Sequence, residues 1–474
     1  MNDGKDGSSC VVAAVQAHVP DYPDAPPFHP PRAYPESPWR DVCLQQGNQV
    51  YEMVRTAFLH LGLDETHVGT PAWNPLGDVI RQGDFVLIKP NFVTDRHPLY
   101  GRDRLCDGRE GVIVHGSILR AVADYAFLAT GTTGRIVIAD NTMHTTPLST
   151  FQNNLRNTGT EGVIEYLQRQ GVPICAYDLR TPPPRAGRTI GAAAPGDPLG
   201  STVIDLGPNS EYVGIDSPSR CAFNQWDATT PRKHHDGAKH EYSISNTVLR
   251  ADAVISVPKL KTHAKVGVSA ALKNTFGISN QKNWVPHFRR GTEADGGDER
   301  DRAYTRSESM IQWVKTKRVM RSTVRLLGFL GVNCSPEAQT GSWYGNNTVW
   351  RGVLDLNKIL FYADRYGVMR PDRQRQYLVV VDGIIAGEGE GPLTPTARNC
   401  GTILAAADPI ATDIVAAEMM GFDYTKLRLI TKALALEKYP IGLNRPEQIR
   451  VAGSCAAAVP AFRAPGSWIG RIEK

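Results

Sequence analysis

The 474 residues exceed what one hydrophobic core usually organises, and 41% hydrophobic with 21% charged residues are globular values. A net charge of +5 is too small a surplus to argue for nucleic acid, yet it leaves room for an anionic substrate. No run of about 18 uncharged apolar residues occurs, so no transmembrane segment is expected. Met1 to Gly7 lacks a basic start followed by an apolar stretch, which predicts no signal peptide and a cytoplasmic protein. The eight cysteines (Cys10, Cys43, Cys106, Cys175, Cys221, Cys334, Cys400 and Cys455) contain no CxxC, so reduced thiols are expected and no iron–sulphur cluster or zinc ribbon.

Residues 1–45 read as a Pro-rich N-terminal arm, extended from Ala17 to Trp39 and draped over the core. Helical spacing of Val50, Met53, Val54, Phe58 and Leu61 predicts a helix over Gln46 to Leu63. Short apolar runs stopped by polar residues predict buried parallel strands at Asp84–Asn91, Gly134–Asp140 and Val172–Asp178, with helices at Ser117–Ala129 and Glu161–Gln170 between them. This alternation predicts an α/β fold with a mostly parallel sheet, helices on both faces and irregular antiparallel insertions. Residues 46–180 form its first part, and 181–250 an irregular insertion with a short strand at Ser201–Leu206.

A second α/β part is expected over 251–425. It starts with a strand at Ala253–Pro258 and a helix within Val268–Thr275. A polar lid loop at 280–310 and a basic helix at 311–330 follow; the helix's cations allow peripheral membrane contact. A helix at Trp350–Ala363, strands at Tyr377–Asp382 and Thr402–Ala406, and a helix at Pro409–Met420 precede a C-terminal extension, 426–474.

Ligands of open parallel sheets bind outside the carboxyl ends of the strands. Those ends carry Lys89, Asn91, Asp140, Asp178, Lys259 and Asp382. The densest stretch runs from Val257 to Gly277 and holds Lys259, Lys261, His263, Lys265 and Lys273 with no acid among them. Lys259 and Lys261 flank Leu260, so an extended backbone turns both to one side. Such a field suits phosphate, carboxylate or an enolate, and a buried lysine becomes an acid or base. His234, His235 and His240, near Asp236 and Glu241, are candidate ligands for a divalent metal. His287 and Arg289 sit in the lid loop. Gly387-Glu388-Gly389-Glu390-Gly391-Pro392 is a glycine-rich turn with two carboxylates, and no Gly-Lys-Ser/Thr follows to make it a phosphate loop. Asp408 before Pro409 reads as a helix N-cap.

The ordered segments Val86–Asn91, Ser256–His263, Ala271–Gly277, Val381–Ile384 with Gly387–Pro392, and Asp408–Asp413 resemble the domain of unknown function 362 family, over about 84–425. Val114-His115-Gly-Ser-Ile118, the His287–Glu299 loop and Gly341–Arg351 look like a branch associated with polysaccharide or specialised-metabolite gene sets, with Asn347 where Asp is expected. The resemblance implies a shared pocket without a settled reaction. Some members carry iron–sulphur segments; this chain's cysteines do not match them.

The reading that follows is an enzyme of a biosynthetic pathway: a transferase, isomerase or lyase acting on an anionic (phosphorylated, sugar-nucleotide or carboxylated) small molecule. Catalytic candidates are His263, Lys261, Glu388 and Glu390. Substrate-binding candidates are Lys89, Asn91, His115, Lys259, Lys273, Asn274, His287 and Arg289. A non-catalytic anion-binding or scaffold protein, and a metal-dependent redox enzyme or oxygenase using the three histidines, are the alternatives. Cofactor and oligomeric state are left open.

Overall fold

The computed structural model describes residues 10–17, 22–39, 43–95, 111–144, 146–181, 196–216, 218–224, 227, 229–300, 340–453 and 461–474. The basic helix expected at 311–330 and residues 301–310 of the expected lid loop lie outside the described residues.

One ten-stranded sheet organises the molecule. Strands β1 (Cys10–Gln16), β2 (Phe85–Pro90), β3 (Arg135–Asp140) and β4 (Ile174–Asp178) come from the first half of the chain. An excursion follows, in which β5 (Ser201–Asp205) pairs antiparallel with β7 (Glu241–Ser245), and the short β6 (Cys221–Ala222) pairs with β11 (Phe288–Arg289). The chain returns to the sheet with β8 (Ala253–Val257), β9 (Lys259–His263), β10 (Gly267–Ser269), β12 (Gln376–Glu388), β13 (Thr396–Ala406) and β14 (Ile449–Gly453). The order is β14-β1-β13-β12-β8-β2-β3-β4, with β9 on β12 and β10 on β9. Strands β12, β8, β2, β3 and β4 are mutually parallel; β13 runs against β12 and β1. The two expected α/β parts therefore share one sheet.

Alternation along each strand builds a core on either face. Leu87, Val137, Val254, Val379 and Val381 enter one core, covered by the helices Val349–Tyr362 and Pro409–Met419. Val86, Ile88, Ile136, Ile138, Ile255 and Val380 enter the other, covered by Gln49–His60, Gly116–Thr130 and Thr160–Arg169. Tyr22, Phe28, Tyr34 and Trp39 of the Pro-rich segment are buried in this second core.

The 1–45 arm needs correction at its start. Cys10–Gln16 is a strand inside the sheet, antiparallel to β13 and parallel to β14. Its Val-Val-Ala-Ala-Val run is the short apolar pattern of a buried strand. The expected C-terminal extension likewise supplies β14, so the two ends of the chain close the same side of the sheet.

Arg375, just before β12, fastens the excursion to the sheet. Its Nε donates to Val248 O at 2.9 Å and its Nη1 to Leu360 O at 2.8 Å and Ala363 O at 2.7 Å, while Nη2 donates to Leu249 O. One buried guanidinium thus takes up carbonyls at the C-terminal ends of the helices Asn246–Arg250 and Val349–Tyr362, where intrahelical donors run out. Burial pushes its pKa down to about 10, still above neutrality, so it stays charged. Arg375→Met should lower unfolding free energy by roughly 2–4 kcal/mol, because several carbonyls lose their donor at once. Urea denaturation followed by circular dichroism measures it.

Candidate active site

Two lysine–aspartate pairs stand at the carboxyl edge of the sheet. At the end of β2, Lys89 Nζ lies 2.7 Å from Asp140 Oδ1 at the end of β3, and also donates to Pro90 O and Asn274 Oδ1. Asp140 Oδ2 accepts from Phe92 N at 2.7 Å. On β9, Lys259 Nζ lies 2.7 Å from Asp382 Oδ2 of β12, with both side chains fully buried. Tyr22 OH donates to Asp382 Oδ1 and accepts from Lys259, each at 2.7 Å. The second oxygen of Asp382 also takes the backbone N–H of His115 at 3.0 Å. In both pairs the carboxylate is committed to its lysine and to backbone donors, which such burial requires.

Three further lysines have no such partner. Lys261 Nζ donates to Val112 O at 2.7 Å and Asn91 Oδ1 at 3.2 Å, both neutral acceptors. Lys282 Nζ donates to the carbonyls of Asn141 and Thr142. Lys273 Nζ sits 3.9 Å from the centre of the Phe276 ring. Among the described residues none of these three forms an ion pair. Burial, then Lys259, pushes the Lys261 amine down to about 7, against the pull of Asp140. Burial, with Lys89 adding to it, brings Lys282 down to about 8, while Asp140 and Asp178 oppose the shift. Lys273 lies well below the ordinary lysine range through burial first, then Lys282, Lys261, Lys89 and Lys265. Like charges held together out of water expel protons unless an anion joins them.

Two histidines, His263 buried and His287 half-buried, complete the cluster, and their hydrogen bonds fix opposite tautomers. His263 Nδ1 accepts from the backbone N–H of Lys265 at 3.1 Å, so the neutral ring carries its proton on Nε2. His287 Nδ1 is 2.9 Å from Val285 O, which only accepts, so Nδ1 carries the proton and Nε2 a lone pair. Burial and the Lys273 charge hold both rings well below the usual histidine range, hence neutral at pH 7.

The segment Ala271-Leu-Lys-Asn-Thr-Phe-Gly277 is gripped at both ends. Asp413 Oδ1 accepts from Ala271 N at 2.6 Å, capping this turn from the helix Pro409–Met419. Asn357 Nδ2 donates to Leu272 O at 3.0 Å. Asn274 accepts from Lys89 and donates to Lys89 O and Ser256 Oγ, so it orients the lysine. Gly277 is required by close approach: a Cβ there would lie 2.0 Å from Asp140 Oδ1 and 2.5 Å from Lys89 Nζ. Gly277→Ala should therefore break the Lys89–Asp140 pair and lower the melting temperature by several degrees, about 2–3 kcal/mol of lost stability. Calorimetry against wild type, with Lys89 watched by NMR, measures both.

Other expected site residues serve the scaffold in this structure. Glu388 pairs with Arg398 at 2.6 Å and accepts from Arg463 N, and Glu390 accepts from Gly466 N at 2.7 Å, so both carboxylates hold the C-terminal segment. The glycines of their turn allow backbone to meet backbone: a Cβ on Gly391 would lie 1.8 Å from Thr262 O. Arg289 is buried against Asp298, which also accepts from Asn347 N and Thr348 Oγ1 and so binds the expected lid to the Gly341–Arg351 segment. His115 caps its own helix, accepting from Ser117 N, and stacks on Tyr22 at 4.1 Å. Burial first pushes its pKa down to about 3.

The three expected metal ligands do not converge. His234 bonds Glu241 at 2.9 Å and stacks on Trp284 at 3.5 Å, whereas His235 and His240 face each other, Nδ1 to Nδ1, at 3.3 Å. Among the described residues no three His, Cys, Asp or Glu side chains are grouped to hold a metal ion. The helix α-turn at Thr230–His234 ends before His235, so the histidines do not share a face.

Sequence reasoning missed Lys282 and Tyr22. Lys282 follows the Ala271–Gly277 motif by five residues and was hidden in a loop read as a lid. Tyr22 had no local signal, since its partners are 237 and 360 residues away.

Residues 213–418 match the model of a family described as Domain of unknown function (DUF362), within the span where the motifs resembled it. A thylakoid-associated protein of Synechocystis sp. is 22% identical over 351 residues, 73% of this chain. The chain spans 66% of that relative's length. Among solved structures, the lactate racemase apoprotein from Thermoanaerobacterium thermosaccharolyticum is similar at 11% identity with a TM-score of 0.33, over 78% of this chain and 55% of that one. No described helix is long and apolar enough to cross a membrane.

Proposed function

We propose that this chain, with its DUF362 match across the lysine cluster, is an enzyme that binds a small anion at Lys261, Lys273 and Lys282 and moves a proton on it. The observation that carries this reading is a set of three lysines lacking carboxylate partners among the described residues, Lys261 buried and Lys273 and Lys282 half-buried, beside two buried lysines that have them. A phosphate or carboxylate supplies the missing charge and lets the amines keep their protons.

The histidine tautomers favour catalysis over simple binding. His287 offers a lone pair at Nε2 and acts as proton acceptor. His263 offers Nε2–H and donates a hydrogen bond to the oxyanion that forms as the proton leaves. A neutral imidazole in that role needs no proton of its own to depart. The lysines stabilise the same negative charge, and Lys261 returns a proton to the product. Carboxylated or phosphorylated intermediates of a biosynthetic pathway suit this set. Glu388 and Glu390 have no part in it.

The pH dependence has a definite sign. Lys261 and Lys282 have folded pKa values of about 7 and about 8 against 10.5 when free, so the unfolded chain holds more protons above neutrality. Stability of the free protein should rise from pH 7 to pH 9. Stabilisation by added phosphate should run the other way, falling over the same interval as the amines lose their protons. Lys273→Met should raise the melting temperature of the free protein by removing a half-buried like charge, and should reduce the phosphate-induced shift. Scanning fluorimetry across this pH range reads all three; a phosphate shift undiminished in Lys273→Met refutes the site.

Nitrogen-15 NMR of labelled imidazoles tests the catalytic part. His263 should be protonated at Nε2 and His287 at Nδ1, with both rings neutral at pH 6. Equal tautomers, or a charged ring, would remove the assigned roles.

A further inference from the structure

A second cationic site lies outside the lysine cluster. A cleft of about 670 Å³ opens between the helices Val349–Tyr362 and Arg428–Leu434, with the Pro208–Glu211 turn as its third wall. That volume falls within the roughly 300–1,000 Å³ of small-ligand sites. Arg351 and Lys358 face it from the first helix, and Arg428 and Lys432 from the second.

The cations differ in how they are held. Lys358 is neutralised by Glu211 at 2.5 Å. Arg351 and Arg428 are held instead by carbonyls. Arg351 uses Nε on Asn347 O at 3.0 Å and Nη1 on Glu211 O. Arg428 uses Nη1 on Asn346 O at 2.9 Å and on Gly345 O at 3.4 Å. Carbonyl contacts fix a guanidinium without cancelling its charge. Each arginine keeps an Nη2 that makes no hydrogen bond among the described residues. Lys432, exposed, lies 5.9 Å from the centre of the Trp350 ring and likewise forms no ion pair among the described residues. Arg351 also stands in the first turn of a 14-residue helix with no acid in that turn, where the macrodipole disfavours a cation. Local helix stability therefore does not account for it.

From this geometry we infer that the cleft is a second binding site, for a multiply charged, phosphate-bearing small molecule. Two pre-oriented guanidinium groups offer their Nη2 donors to phosphate oxygens, and Lys432 adds a point charge at the mouth. The exposed Glu437 on the rim favours a compact ligand that seats between the arginines over an extended polyanion. This site shares no residue with the lysine cluster, so it stands or falls independently of the proposed reaction.

Titration calorimetry of the full chain with inorganic pyrophosphate tests it. Wild type should show a binding event that Lys432→Glu and Arg428→Gln each weaken about tenfold and Lys273→Met leaves unchanged. Lys432 is exposed and makes no hydrogen bond among the described residues, so its variant reports on binding without threatening the fold. Pyrophosphate binding that is lost in Lys273→Met and retained in Lys432→Glu would overturn the cleft while supporting the lysine cluster. The absence of any pyrophosphate binding would also overturn it.

Discussion

The Lys259–Asp382 pair is the constraint from which the rest of this edge is built. Both side chains are fully buried, so neither charge tolerates loss of the other. Asp382 lies in β12 and Lys259 begins β9, so the pair fixes where β9 turns away from β8 and continues along β12. Tyr22 brings the N-terminal segment onto the same two groups, and the His115 backbone brings the start of the helix Gly116–Thr130. Four separate pieces of chain are thereby registered on one carboxylate. Lys261 is two residues further along β9, and the period-two geometry of a strand places it on the same face.

Charge is partitioned at this edge, and the partition gives the site its character. Asp140 and Asp382, which end up nearest the lysines, are consumed by Lys89 and Lys259 and by backbone N–H groups. Asp178 is taken up by Arg180. Glu388 and Glu390 turn toward the C-terminal segment. The acids of the edge are thus spent on architecture, and the positive charge of buried Lys261 and of half-buried Lys273 and Lys282 is left without a carboxylate partner among the described residues. A fold optimised only for stability would replace such lysines by apolar side chains of similar volume.

Much of this was legible in the sequence because the signals were local. Buried strands such as Val86-Leu-Ile and Ile136-Val-Ile, and helices with clear apolar spacing, fall within two or three residues of where the pattern put them. The alternation of Lys259, Leu260 and Lys261 correctly separated two polar groups from one core residue. What could not be read were partners distant in sequence. Glu388 and Glu390 look like an acid wall facing the lysines, but Arg398, Arg463 and Gly466 claim them from outside. Arg289 looks like a free lid cation, but Asp298, nine residues on, closes a loop with it. The histidines of 234–240 look like a metal set by count, and only the backbone decides that His234 faces Trp284 while His235 and His240 face each other.

The Ala271–Gly277 turn shows why spacing alone was enough to find this site and not enough to explain it. The turn is only a helical fragment of four residues, too short to hold itself. Its first N–H groups are taken by Asp413 and its Leu272 carbonyl by Asn357, each from a different helix on the same face of the sheet. Burial pushes Asp413 up to about 7, so its backbone bonds are formed at the cost of poor solvation. That cost is intelligible if the turn must stand at one place, with Asn274 on Lys89, Gly277 against Asp140, and Lys273 among the other lysines. Shifting the turn by a residue would put a side chain where Gly277 now admits the Lys89–Asp140 pair. The geometry of the ion pairs and the position of the unpaired lysine are therefore a single constraint, met by the sequence in one register.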